Sequence, residues 1–86
     1  MSWSMEYAGK RDEVRAKVKD HPTYGDPTQI AQLEGVKTLV AAELDGMPEG
    51  CSVYVKGFGH ADGNGASGSN RNATIEVKQL YEPPAR

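Results

Sequence analysis

The segment from Asp26 to Pro48 is the strongest structural signal in this chain of 86 residues. Asp26 can cap a helix and Pro27 suits the first helical position. Gly46 is placed to close the helix before Pro48. The apolar side chains between these ends recur at helical spacing, and they are Ile30, Leu33, Val36, Val40 and Leu44. The pattern therefore predicts a helix over residues 27–45.

Three other segments alternate apolar and polar side chains, which is typical of half-buried strands. The first covers residues 3–8 and is expected to end at Gly9. The second covers 51–58 and the third covers 73–81. Residues 10–19 change to a helical period, with a narrow apolar stripe among basic side chains. The element order is therefore β-α-α-β-β.

This order predicts an α+β fold with two layers. A small, mostly antiparallel three-stranded sheet would carry both helices on one face. Strands two and three would form a hairpin, and strand one would join either of them. The length predicts a single domain over residues 1–86, with an extended tail at 82–86.

A sheet covered on one face leaves the other face open. Either Trp3 and Tyr7, or Tyr54 and Phe58 on the opposite parity, would then have no partner within one chain. Exposed aromatic surface of that kind often marks an interface. The sequence therefore predicts a homo-oligomer, and a dimer is the commonest form.

Composition narrows the function classes. The chain has 10 Lys and Arg against 12 Asp and Glu, a net charge of -2, which argues against a general nucleic-acid binder. No apolar run approaches the length of a membrane span, and no signal-peptide pattern begins the chain, so a cytoplasmic location is expected. The single cysteine, Cys51, rules out an internal disulfide and a cysteine-based zinc site.

Residues 59–72 are rich in Gly, Asn and Ser and predict a long hairpin loop between strands two and three. Such loops in small domains are usually functional or disordered. Glycines let backbone N–H groups converge on phosphate oxygens, arginine adds a charged contact, and an aromatic ring can stack on a base. The candidate ligand-binding residues are Tyr54, Phe58, Gly59, His60, Gly63, Asn64 and Arg71. A flexible linker is the alternative interpretation.

No catalytic constellation is visible, so the chain is not expected to be an enzyme. A Cys51–His60 pair has no support from strand parity. The Asp62-Gly63-Asn64-Gly65 run suggests a calcium loop, but Ala73 stands where the twelfth-position glutamate is required. No histidine spacing supports zinc. We therefore expect no metal and no cofactor.

Two stretches resemble a type of small accessory protein encoded by bacteriophages. They are the opening Met1-Ser2-Trp3-Ser4 and the run Val53-Tyr54-Val55-Lys56-Gly57-Phe58-Gly59-His60. The resemblance implies an inhibitor of host defence acting in the host cytoplasm. Some proteins of that type are oligomeric sponges that trap a nucleotide signal without cleaving it.

Two functions follow as hypotheses. In the first, the chain sequesters a phosphate-bearing small molecule of nucleotide type with the 59–72 loop. In the second, it is a protein-binding inhibitor or a structural phage component, which uses exposed aromatics and a sheet edge. The two differ in whether the loop or the sheet carries the binding.

Overall fold

The computed structural model of this chain describes residues 2–64 and 68–80. Its elements follow the predicted order, so the small α+β fold is confirmed. The bounds are β1 Ser2–Lys10, α1 Arg11–Asp20, α2 Pro27–Asp45, β2 Ser52–Asn64 and β3 Gly68–Gln79.

The three strands form one antiparallel sheet in the order β1-β2-β3. The β1–β2 register runs without a break from Ser2 opposite His60 to Lys10 opposite Ser52. The β2–β3 register is also unbroken. Strand one therefore pairs with strand two, which leaves β1 and β3 as the sheet's edges.

The helix predicted over residues 27–45 has those bounds in the structure. The Asp26 carboxylate accepts a hydrogen bond of 2.9 Å from the N–H of Gln29, and Pro27 occupies the first turn. The N–H of Gly46 closes the other end on the carbonyls of Glu43 and Leu44. No helix in the described part of the chain is long and apolar enough to cross a membrane.

The core lies between the two helices and one face of the sheet. Alternate side chains of each strand point into it, while each helix contributes its apolar stripe. Trp3 is only 3% exposed and Tyr7 packs against the same cluster, so these aromatics face the helices. The remaining buried residues of this cluster are Met5, Val14, Val18, Leu33, Val36, Val40, Leu44, Cys51, Val53 and Val55.

Two predicted boundaries are wrong. Gly9 does not end the first strand but stays in it opposite Val53, with φ at +146°, a value that a residue without Cβ tolerates. The predicted 59–72 loop is strand over 59–64 and over 68–72, because these residues continue the β2–β3 ladder. Residues 65–67 and the predicted tail at 82–86 lie outside the described residues.

Candidate binding surface on the open sheet face

The face of the sheet turned away from the helices is the candidate functional surface. Both registers pair even-numbered residues with even-numbered residues, so these side chains share one face. No helix of residues 2–64 and 68–80 packs on it, and we call it the open face. Its members are Ser2, Ser4, Glu6, Ala8, Tyr54, Lys56, Phe58, His60, Asn72, Thr74, Glu76 and Lys78.

Phe58 is the most prominent apolar group on the open face. It sits on the central strand and 52% of it is exposed. Its cross-strand neighbours are the short side chains of Ser4 and Thr74, which cannot shield an aromatic ring. A shallow depression of about 300 Å³ beside it has a predominantly carbon lining, formed by Ser2, Phe58, Gly59, His60, Asn72, Ala73 and Thr74. The surface can therefore accept an apolar group next to the ring.

A row of charges of alternating sign crosses the open face two residues from Phe58 along β2. Glu6 lies opposite Lys56, and Lys56 lies opposite Glu76. This row orders carboxylate, ammonium and carboxylate across the three strands. Opposite charges at directly facing positions stabilise a sheet.

Tyr54 links the row to the rest of the face. Its hydroxyl donates a 2.5 Å hydrogen bond to Oε2 of Glu6, and this bond raises the pKa of Tyr54 to about 12. The ammonium of Lys78 lies 5.5 Å from the centre of the Tyr54 ring and 3.4 Å from the Glu76 carboxylate. The polar half of the open face is thus a connected set of contacts rather than independent side chains.

Three of the predicted ligand-binding residues lie on the open face, spaced along β2: Tyr54, Phe58 and His60. Gly59 faces the other way, toward the helices. A Cβ on Gly59 would lie 2.7 Å from the Trp3 ring and 2.7 Å from the carbonyl of Asn72. The absence of a side chain at Gly59 is therefore needed for core packing.

Gly63 also has a structural role, because its backbone N–H is already bonded within the fold. Its N–H donates a 3.0 Å hydrogen bond to Oδ2 of Asp26, and a Cβ there would clash with Oγ1 of Thr28. Together with the Gln29 bond, this contact lowers the pKa of Asp26. The N-terminus of α2 is therefore fastened to the far end of β2.

Of the other two predicted residues, Arg71 is the one whose side chain is described. Arg71 is exposed and lies opposite Ala61, among the odd-numbered residues of the sheet face that is turned toward the helices. Asn64 pairs with Gly68 at the end of the hairpin, and its side chain lies outside the described part of the chain. Apart from Asn64, the predicted residues are thus divided between two faces of the sheet and do not assemble one clamp.

Sequence reasoning missed the charged members of the surface, Lys56, Glu76 and Lys78. Their alternation with apolar residues was visible in the sequence. Their alignment in one row depends on the strand order and on the register, which are long-range properties. Within residues 2–64 and 68–80, no three His, Cys, Asp or Glu side chains come together as a metal site.

No protein-family model, curated protein or solved structure matches this chain, and its site is therefore interpreted from its own geometry.

Proposed function

We propose that this chain is a non-enzymatic binding protein that captures another protein on its open face. The observation that carries the proposal is Phe58, an aromatic ring half exposed in the middle of a central strand. Aromatic residues of this kind are the usual anchors of protein interfaces. The partner would place an apolar side chain in the depression beside Phe58 and charged groups against the Glu6–Lys56–Glu76 row.

The chemistry of the depression favours a protein over a phosphate. Its lining is mainly carbon. Arg71, the arginine expected to hold phosphate, lies among the odd-numbered residues of the opposite sheet face. Gly63, expected to offer a free N–H, already donates to Asp26. Apolar contact with a charged rim is the ordinary anatomy of a protein–protein surface.

The resemblance to small phage accessory proteins suggests the biological form of this proposal. The partner would then be a component of a host defence, and binding would block it in the host cytoplasm. No bond is made or broken in this function, so no acid–base pair is required.

Phe58→Ala is the direct test, with Leu39→Ala as its matched control. Leu39 is 53% exposed, nearly the same as Phe58, but it lies on α2. Tagged wild type and both variants are incubated with extract of the cells in which the chain occurs, and recovered proteins are quantified by mass spectrometry. We expect one protein whose recovery falls roughly tenfold or more with Phe58→Ala and is unchanged with Leu39→Ala.

The affinity of that protein for each variant is then measured by calorimetry with purified components. If every recovered protein binds Phe58→Ala and wild type equally, the open face is not the binding surface. Circular dichroism of both variants verifies that the sheet is intact. An exposed side chain contributes little to the core, so we expect both variants to fold.

Sequestration of a nucleotide-type ligand is the second candidate. The observation in its favour is that Phe58, His60 and Asn72 line one depression, where a base could stack on the Phe58 ring and bond the Asn72 amide. Native mass spectrometry of protein purified from those cells distinguishes the two. A retained mass of nucleotide size, lost in Phe58→Ala, would favour this candidate and count against the protein partner.

A further inference from the structure

The outer edge of β3 is the strongest feature that the binding proposal leaves unused. In the described part of the chain no strand pairs with this edge, although β3 has 12 residues. The inner-face side chains Ile75 and Val77 are only half-buried. A long unpaired edge offers a row of N–H and C=O groups to a further strand.

The alternation of hydrogen bonds along β3 shows which of its backbone N–H and C=O groups point away from β2. The N–H of Leu80 donates to the carbonyl of Ser52, so even-numbered β3 residues bond to β2. Because antiparallel bonding alternates along an unbroken register, the odd-numbered residues direct their N–H and C=O groups to the free edge. These residues are Arg71, Ala73, Ile75, Val77 and Gln79.

The other edge is less accessible. His21, which follows α1, lies beside the backbone of Ser4 on β1 and bonds the hydroxyl of Tyr7. The final residue of β1, Lys10, also leads directly into α1. The β3 edge is therefore the one that can receive a full strand.

We propose that β3 pairs antiparallel with β3 of a second copy, with the two-fold axis at Val77. In this register Val77 meets its symmetry mate, and Ile75 bonds to Gln79 of the other copy. Glu76 then faces Lys78 of the other copy, and the reverse pair forms by symmetry. Shifting the axis by one residue toward the N-terminus would instead place Glu76 against Glu76, which repels.

The charge pattern of the open face supports this register. Within one chain, Glu6, Lys56 and Glu76 alternate in sign across the sheet. Lys78 of the second copy would continue the row with the sign that the alternation requires. Glu76 and Lys78 are each about half exposed, with side-chain exposures of 53% and 54%, so both are accessible to a second copy.

Charge exchange tests the pairing in the full-length chain. Glu76→Lys and Lys78→Glu each turn both intermolecular pairs into like-charge contacts. We expect each single variant to raise the dimer dissociation constant by roughly tenfold or more in sedimentation equilibrium. An equimolar mixture of the two variants restores opposite charges at every contact, and we expect it to form heterodimers.

The double variant Glu76→Lys/Lys78→Glu also restores the pairs and is expected to dimerise. It controls for loss of stability in either single chain, as does thermal unfolding of each variant. A wild-type chain that stays monomeric at about 1 mM, a concentration that would detect even a dissociation constant near the millimolar range, overturns the proposal. So does a dimer that neither single variant weakens.

Phe58 belongs to the binding function alone, whereas Glu76 belongs both to the charged row and to the dimer contact. Phe58→Ala removes the open-face ring but leaves the β3 edge intact, so the dimer should persist in it. If Phe58→Ala dissociates the dimer, the copies pair through the open face and the β3 register is wrong. Failure to find a Phe58-dependent partner would leave the sedimentation result unaffected.

Discussion

Single glycines show how tightly the first strand lies on the second. Trp3 packs directly over Gly59, where an added Cβ would lie 2.7 Å from the ring. Gly35, on the exposed side of α2, has no atom within 4 Å of an added Cβ. The same residue type therefore has opposite significance at the two positions.

Gly59→Ala should destabilise the chain, since the Trp3 ring or the backbone at Asn72 must move. We expect a loss of about 1–3 kcal/mol in the free energy of unfolding, as for an overpacked core. Gly35→Ala is the matched control and should stabilise the chain by about 0.5–1 kcal/mol, because alanine favours a helix interior. Urea denaturation measures both, and a Gly59→Ala chain as stable as wild type would contradict the packing described for Trp3.

At the scale of elements, the sequence predicted α2 to the residue and misjudged the hairpin. Helix ends depend on neighbouring residues, so Asp26, Pro27 and Gly46 carried the needed information locally. Seven of the eleven extra strand residues at 59–64 and 68–72 are Gly, Asn or Ser, and glycine and asparagine in particular are depleted in strands. Their pairing is supported by contacts from elsewhere, namely Trp3 and the N-terminus of α2.

The candidate surface, like the elements, could be predicted from the sequence only in part. Alternation along 51–58 predicted that Tyr54 and Phe58 share a face, as they do. The sequence could not assign that face to solvent rather than to the helices. That assignment follows from the core, where Trp3, Met5 and Tyr7 are the β1 side chains turned inward.

Asp26 joins two elements through two acceptor atoms. One carboxylate oxygen caps α2 at Gln29 and the other accepts from the N–H of Gly63 on β2. Asp26→Asn retains one acceptor for the cap, and its amide nitrogen cannot accept from Gly63. We expect the urea midpoint to fall in the order wild type, Asp26→Asn, Asp26→Ala.

Amide hydrogen exchange separates the two roles. The Gly63 N–H should exchange faster in both Asp26 variants, whereas the Gln29 N–H should be affected strongly in Asp26→Ala alone. Equal protection of Gly63 in all three chains would disprove the link between α2 and β2.

For the whole molecule, the pH dependence of stability should reflect proton binding by His21. Burial, reinforced by the charge of Lys37, lowers the pKa of this histidine, whose Nδ1 is hydrogen-bonded to the Tyr7 hydroxyl at 2.6 Å. The unfolded chain then binds the proton more readily than the folded chain. Stability is full above the unfolded pKa of about 6.5 and is lost as the pH falls through the lower folded value.

Thermal unfolding between pH 7.5 and 5 measures this slope. We expect the unfolding midpoint to fall on acidification, and His21→Gln to flatten the dependence. His60→Gln removes the chain's other histidine and is the matched control, which should keep the slope. If the slope vanishes with His60→Gln and persists with His21→Gln, the pH dependence comes from His60 and the prediction for His21 is wrong.

The position of Trp3 gives the molecule its own optical reporter. It is the only tryptophan in the chain, and its indole N–H donates to Oε1 of Gln32 at 2.6 Å. The ring therefore senses β1, β2 and α2 together, in surroundings far less polar than water. Detachment of the first strand should shift its emission to longer wavelength, so a fluorimeter can follow the closing of this sheet without any added label.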